Sequence, residues 1–93
     1  MKRVRVIVSG RVQGVGFRYF VQEQAYRFSI KGYVKNMPGG SVEIDAEGEE
    51  KQLDNFLAAC RRGTVHAQID KFVVKQIPEY GYTRFRIRHC SDF

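Results

Sequence analysis

The residue types best suited to chemistry are concentrated in residues 9–18, between a strand-like run and a helix-like run. Three glycines lie here, Gly10, Gly14 and Gly16, and glycine permits positive φ angles and the close approach of a ligand. A tight loop that enters a helix gathers unpaired backbone N–H groups, and the helix dipole adds partial positive charge. Arg18, in the first predicted helical turn, adds a planar guanidinium that suits phosphate. The stretch therefore predicts an anion-binding site.

The spacing of these residues excludes two common phosphate loops. No Lys followed by Ser or Thr comes after the glycines, so the stretch is not a P-loop, and the glycine spacing is not that of a dinucleotide-binding loop. The glycines alone are equally compatible with a tight turn that has no function. For Arg18 the alternative is an exposed residue of the first helical turn, although a cation there opposes the helix dipole unless an anion is bound.

A second polar candidate, Asn36, ends a short strand-like run at residues 33–36. Asn is depleted in strand interiors and favoured in turns. The Met-Pro-Gly-Gly run at residues 37–40 predicts a turn directly after it. On these residues alone, Asn36 either starts the turn or belongs to a site.

Two stretches of the sequence resemble the signatures of the acylphosphatase family. Residues 10–18, Gly-Arg-Val-Gln-Gly-Val-Gly-Phe-Arg, resemble the first signature. Residues 32–36, Gly-Tyr-Val-Lys-Asn, followed by Gly-Ser-Val at residues 40–42, resemble the second. The resemblance extends from the first predicted strand to about Ile87.

The resemblance implies hydrolysis of an acyl phosphate to a carboxylate and inorganic phosphate, with inorganic phosphate as a competitive inhibitor. In that reaction Arg18 binds the phosphoryl group and Asn36 orients the attacking water. No metal, cofactor, or catalytic Cys or His is implied, because the leaving carboxylate is stable and phosphoryl transfer depends chiefly on positioning. The backbone N–H groups that hold the phosphoryl oxygens belong to Gln13, Gly14, Val15, Gly16, Phe17 and Arg18.

The sequence departs from the family's pattern at two positions. Acylphosphatases commonly carry Gly where this chain has Ser29, at the end of the predicted first helix. A left-handed residue is often needed there, so Ser29 is expected to carry local strain. Many members carry Trp where this chain has Tyr33, a change expected to affect packing and not chemistry.

The elements that must position these residues follow from hydrophobic periodicity. Apolar residues repeat at helical spacing over residues 17–28 and 53–60. The order is β-α-β-β-α-β plus a final strand, the ferredoxin-like split βαβ pattern of the α+β class. Two helices are expected on one face of a mainly antiparallel sheet, which the resemblance gives five strands. The strands are predicted at residues 4–8, 33–36, 42–47, 69–77 and 84–88.

Length and composition limit the partners. The chain has 93 residues, enough for a single domain over residues 1–93. No apolar run approaches the roughly 20 residues of a membrane span, and no signal peptide is evident, so we expect a cytoplasmic monomer with no membrane partner. Sixteen Lys and Arg against ten Asp and Glu give a net charge of +6, which favours an anionic partner. The basic stripe of the last strand is interpreted as edge protection and steering of an anionic substrate, and consists of Arg84, Arg86 and Arg88.

The cysteines and histidines provide no second site. Cys60 and Cys90 make neither a disulfide framework nor a metal site, and Cys60 lies on the apolar stripe of the second predicted helix. His66 and His89 lie outside both signatures. We expect both histidines to be structural or solvated.

RNA binding is the alternative from a different class, because RNA-recognition modules share this order of elements and are often basic. Such modules stack bases on aromatic residues of the open sheet face. Here the strand at residues 42–47 is expected to turn Glu43, Asp45 and Glu47 outward. An acidic strand would repel a phosphate backbone, so no nucleic-acid partner is expected. A third possibility is an accessory domain of a larger carbamoyl-transfer enzyme, but the length of the chain favours a free-standing enzyme.

Overall fold

The computed structural model describes residues 1–89, so Cys90 and the terminal Ser91, Asp92 and Phe93 lie outside the described residues. The predicted order of elements is confirmed. The two helices are α1 (Phe17–Arg27) and α2 (Glu50–Arg62). The five strands are β1 (Lys2–Arg11), β2 (Lys31–Asn36), β3 (Val42–Gly48), β4 (Gln68–Ile77) and β5 (Phe85–Arg88).

The five strands form one sheet in the order β4-β1-β3-β2-β5. All neighbouring strands are antiparallel except β2 and β5, which run parallel. Because β3 lies between β1 and β2, the β1-α1-β2 unit is split, as the ferredoxin-like pattern requires. The predicted α+β class and the two-layer arrangement are confirmed.

The core lies between the helices and one face of the sheet. Val4, Val6 and Val8 of β1 point to this face and are buried, as the alternation of β1 predicts. The helices supply large apolar side chains to the same layer, including Phe17 of α1 and Phe56 of α2. This packing anchors the first residue of α1 and thereby fixes the direction of its N-terminus.

Strand β1 continues past its predicted end at residue 8 and reaches Arg11. Its pairing with β4 shifts by a β-bulge between Ser9 and Gly10. Gly10 has φ 126°, and a Cβ atom there would overlap the carbonyl oxygen of Gln68. Gly10 is therefore required by close strand packing, and the prediction that the glycine loop starts at Ser9 is wrong. The loop that connects β1 to α1 covers only residues 12–16.

The end of α1 confirms the expected left-handed residue. Ser29 has φ 57° and is the one non-glycine residue with positive φ in the described part of the chain. The N–H of Phe28 donates to the carbonyl of Gln24 at 3.0 Å, and the N–H of Ile30 donates to that of Ala25 at 2.8 Å. These bonds satisfy carbonyls in the last turn of the helix.

The carboxylates of β3 face outward as predicted, but they do not form an open acidic surface. Glu43, Asp45 and Glu47 point away from the helices, but only 2–5% of each residue is exposed. Arg3 donates to Asp45 through Nε at 2.9 Å and through a terminal nitrogen at 2.7 Å. Arg5, at the next outward position of β1, donates to Glu43 through Nε alone, at 2.5 Å. Because Arg3 and Arg5 of β1 already pair with two of the three carboxylates, the row's repulsion of a polyanion is weaker than the sequence indicates.

Candidate active site

The loop between β1 and α1 has the backbone shape of an anion site. Gly14 and Gly16 have φ 75° and 76°, the left-handed conformation that glycine adopts without strain. Gly16 is the N-cap of α1 and provides no side-chain cap hydrogen bond. Among residues 1–89, and apart from its chain neighbours, a Cβ atom built at Gly14 or Gly16 would meet no atom within 4 Å. The two glycines thus provide the left-handed turns and leave open space beside the helix N-terminus.

The electrostatics of this helix end also favour an anion. The first N–H groups of a helix have no carbonyl partner within the helix, and the first turn of α1 contains no acidic residue. Arg18 lies in that turn and is half-buried. None of the ion pairs within residues 1–89 involves Arg18. A half-buried cation that no described carboxylate pairs with, next to the positive end of a dipole, is best compensated by a ligand anion.

One cavity brings together the two residues that were predicted to act on the substrate. It has a volume of about 130 Å³, and both Arg18 and Asn36 line it. Asn36 is the last residue of β2 and pairs with Val42 of β3. The sheet thereby places its side chain beside the loop between β1 and α1. The remaining lining residues come from the loop and the first turn of α1: Val12, Gly14, Gly16, Phe17 and Tyr19.

Two of the predicted loop residues turn their side chains away from this cavity. Val15 packs against the edge of the core. Gln13 reaches the turn between β2 and β3, where its Nε2 donates to the carbonyls of Met37 at 2.9 Å and Ser41 at 2.8 Å. The resemblance assigned Gln13 only a backbone N–H, and the role of its side chain was missed. No local pattern could have revealed it, because both partners lie more than 20 residues away.

Asn36 is half-buried, and its Oδ1 atom is closed to solvent. The carboxamide has an acceptor on one branch and a donor on the other, and rotation about its last side-chain bond exchanges them. A water molecule can reach Oδ1 only after such a rotation or after movement of the loop. The orientation of this amide therefore determines whether a water molecule can reach Oδ1.

A second, larger cavity lies along the edge strand β5. Its volume is about 220 Å³, and it is lined by Arg84, Arg86 and Arg88 with Tyr80 and Tyr82. The strand is a sheet edge, as the interpretation of the basic stripe required. It lacks a helix N-terminus and Asn36, which distinguishes it from the cavity beside Arg18.

The remaining titratable candidates lie away from the cavity beside Arg18. His66 is exposed in the turn after α2. Cys60 is buried under α2, and burial raises the pKa of its thiol well above the ordinary value, which makes it a poor nucleophile. Within residues 1–89, no three His, Cys, Asp or Glu side chains cluster as metal ligands do. Neither helix of the described chain has the length and apolar character needed to cross a membrane.

Comparisons with known proteins agree with this geometry. The family model of acylphosphatases matches residues 4–87. The acylphosphatase of Geobacillus kaustophilus is 44% identical, with all of both chains covered. The crystal structure of acylphosphatase from Bacillus subtilis superposes with a TM-score of 0.91 at 44% identity, covering 95% of this chain and 99% of that one. The structure of T. kodakarensis HypF contains a region with a TM-score of 0.86 at 34% identity, covering 98% of this chain but 12% of that one.

The family model and the full-length relative cover both signature stretches together with the sheet that joins them. The superposition on the Bacillus subtilis enzyme covers nearly the whole of each chain. On this evidence the chain belongs to the acylphosphatase family, and it is an enzyme that hydrolyses acyl phosphates.

Proposed function

We propose that the cavity beside Arg18 is the place where the acyl phosphate is held and hydrolysed. The observation that carries this proposal is the convergence of three features on one cavity of about 130 Å³. These features are the N-terminus of α1, the guanidinium of Arg18 and the carboxamide of Asn36. They come from three consecutive elements, β1 with its loop, α1 and β2, so the fold itself sets their relative positions.

The phosphoryl group is held by backbone N–H groups and by Arg18. The residues that supply these N–H groups are Gln13, Gly14, Val15, Gly16, Phe17 and Arg18. Each N–H is fixed by the backbone before the substrate arrives, so little reorganisation is needed when charge develops on the phosphoryl oxygens. The guanidinium adds two parallel donors and a full charge, which a helix end alone does not provide.

The attacking water is oriented by Asn36. The oxygen of the water forms a bond to phosphorus while the bond from phosphorus to the acyl oxygen breaks, and the carboxylate leaves with that electron pair. The proton lost by the water passes to the phosphate or to solvent. The carboxamide does not act as a base at neutral pH, but its Oδ1 accepts a hydrogen bond from the water once it faces the cavity. A stable leaving group and a loose transition state make such positioning sufficient.

The free-standing, monomeric and cytoplasmic character of the enzyme belongs to the same proposal. A free-standing enzyme agrees with relatives that match this chain over their full length. Inorganic phosphate, the product, is expected to occupy the same N–H groups and to inhibit competitively. Light scattering of the purified protein tests the monomer, and a dimer would contradict it.

Phosphate titration followed by amide NMR distinguishes the two cavities. Adding inorganic phosphate should shift the amide signals of residues 14–18 and lower the rate of benzoyl phosphate hydrolysis in parallel. The amides of residues 84–88 on β5 serve as the internal control and should shift far less. A saturable shift confined to residues 84–88, with competitive inhibition, would place the substrate at the arginine cavity instead.

A further inference from the structure

The side chain of Gln13 connects two segments of the site by hydrogen bonds. Its Nε2 donates to the carbonyl of Met37 at 2.9 Å and to that of Ser41 at 2.8 Å. These two carbonyls lie at the base of the turn that joins β2 to β3, and Asn36 is the residue directly before this turn. One amide nitrogen therefore ties the phosphate loop to the segment that carries Asn36.

We propose that Gln13 is a positioning residue that holds Asn36 in register with the phosphate loop, so that the water is aligned with the bond that breaks. This inference rests on the proposed function of Arg18 and Asn36. It assigns no contact between Gln13 and the substrate through its side chain. The role of the side chain is to fix the distance between two parts of the site.

The topology explains why such a link matters. Strand β3 lies between β1 and β2, so the loop after β1 and the end of β2 are not joined by direct strand pairing. Across two strand spacings the two parts are about 10 Å apart in the sheet. In-line attack needs much finer placement, since a misplacement of about 1 Å can cost about 10²-fold in rate. A direct bond from the loop to the turn removes that freedom.

The turn itself depends on the same two carbonyls. The N–H of Met37 donates to the carbonyl of Ser41 at 2.8 Å, and the N–H of Gly40 donates to that of Met37 at 3.3 Å. Each carbonyl oxygen thus accepts one bond from the turn and one from Gln13, which uses both of its acceptor sites. The primary amide of Gln has the two N–H donors on one nitrogen that this arrangement requires, whereas Glu would place a third oxygen against two carbonyls.

The experiment compares Gln13→Met and Gln13→Glu with Gln76→Met, which changes an exposed glutamine of β4. Gln13→Met keeps the length of the side chain but removes both donors, and turnover should fall about 10- to 100-fold. Gln13→Glu should lower turnover further, because the carboxylate repels the two carbonyls. In Gln13→Met, which leaves the charge of the loop unchanged, the inhibition constant of inorganic phosphate should stay within about threefold, because the N–H cradle belongs to the loop and to α1. Thermal unfolding of each variant shows whether it is folded at the assay temperature, and Gln76→Met should match the wild type.

A double-mutant cycle with Asn36→Ala separates this role from a general effect on the loop. If Gln13 acts through Asn36, adding Gln13→Met to Asn36→Ala should lower turnover by less than about threefold. Full additivity of the two losses, or a phosphate inhibition constant that rises in proportion to the loss of turnover, would overturn the inference. If Asn36→Ala alone leaves turnover unchanged, the proposed function fails first. If Asn36→Ala is severe and Gln13→Met is harmless, only the role of Gln13 fails.

Discussion

Two loops of this molecule contain left-handed glycines but differ in whether a carboxylate of the described chain lies against them. In the loop between β4 and β5, the N–H groups of Tyr80, Gly81 and Tyr82 converge on the carboxylate of Glu47 at 2.7–3.1 Å. Gly81 has φ 95°. In the loop between β1 and α1, left-handed glycines open the backbone in a comparable way, but no carboxylate of the described chain pairs with Arg18 beside it.

The difference shows what separates an anion site from an anion-stabilised loop. Where the chain supplies its own carboxylate, the N–H groups are satisfied on folding and the loop is fixed. Where no described carboxylate is present, as beside Arg18, we propose that the N–H groups and the cation take their partner from solution. Burial would raise the pKa of Glu47, but the three N–H bonds and the charge of Arg3 outweigh it and hold that pKa below the ordinary value. The carboxylate is therefore the charged, permanent occupant of its loop.

Removing Arg18, the cation beside the loop between β1 and α1, should have the largest effect on turnover. Arg18→Ala should lower turnover about 10²- to 10³-fold, equivalent to about 3–4 kcal/mol, because a donor aimed at developing charge is lost. Inhibition by inorganic phosphate should weaken as well, while the melting temperature should change little. Arg86→Ala, which removes an exposed arginine of β5, is the matched control and should keep turnover within about threefold. A variant of Arg18 with more than half of wild-type activity would end the assignment.

Removing the water-orienting group should come next. Asn36→Ala should lower turnover by about 10²-fold with little change in the inhibition constant of phosphate, because the water is aligned mainly in the transition state. Steady-state kinetics of benzoyl phosphate hydrolysis measure this, with Asn55→Ala on the exposed side of α2 as the control. Normal turnover combined with a large rise in KM would instead make Asn36 a binding residue.

Changing Glu47, the carboxylate bound by the loop between β4 and β5, should alter stability and not turnover. Glu47→Gln removes the charge that three N–H groups bind but keeps one carbonyl acceptor, so only part of their interaction is lost. A hydrogen bond to a charged group contributes about 1.5–3 kcal/mol and a neutral one about 1 kcal/mol, so a loss of about 2 kcal/mol is expected. Urea unfolding measures it, and Glu23→Gln, at an exposed position of α1, should be neutral. Turnover of the folded variant should stay within about threefold. A large loss of turnover at unchanged stability would contradict the claim that the loop between β4 and β5 contributes to stability and not to turnover.

Acid should weaken the loop that binds the Glu47 carboxylate. The pKa of Glu43 is also lowered, since bonds from Tyr33 and Arg5 outweigh the effect of burial. Both carboxylates have an ordinary value of 4.5, so the stability they contribute is complete above that pH and is lost as the pH falls through the lower folded-state values. The free energy of unfolding should therefore decline below about pH 4.5. Glu47→Gln should decline less steeply, and an equal slope would show that Glu47 is not a source of this effect.

The smallest effect is expected from the histidines. His66→Ala combined with His89→Ala should leave turnover within about twofold, because the leaving carboxylate needs no proton from a general acid. The pH profile of turnover should also be unchanged, because the proposed mechanism uses neither imidazole. A loss of about 10²-fold in a folded double variant would mean that general acid–base catalysis contributes.

The sequence predicts the order of elements well because hydrophobic periodicity is a local signal. Residues that act at a distance were predicted less well. Glu43 and Asp45 were assigned to an open face because the arginines that cover them are 38 and 42 residues away. The extension of β1 through Gly10 was missed because its reason, contact with Gln68, also lies on a distant strand. Arg18 and Asn36 were identified through the resemblance, and the sheet brings them to one cavity as that resemblance implies.

The central position of β1 has a consequence for how the protein acquires its structure. Strand β1 is paired on one side with β3 and on the other with β4, whose last paired residue is Ile77. During synthesis β1 emerges from the ribosome before the other strands, and its second edge stays unpaired until β4 has emerged. Pairing of such distant segments is slow, because the loop entropy is lost before the contacts form. We expect this domain to complete its folding only after β4 and β5 have emerged from the exit tunnel, and more slowly than a helical bundle of the same length.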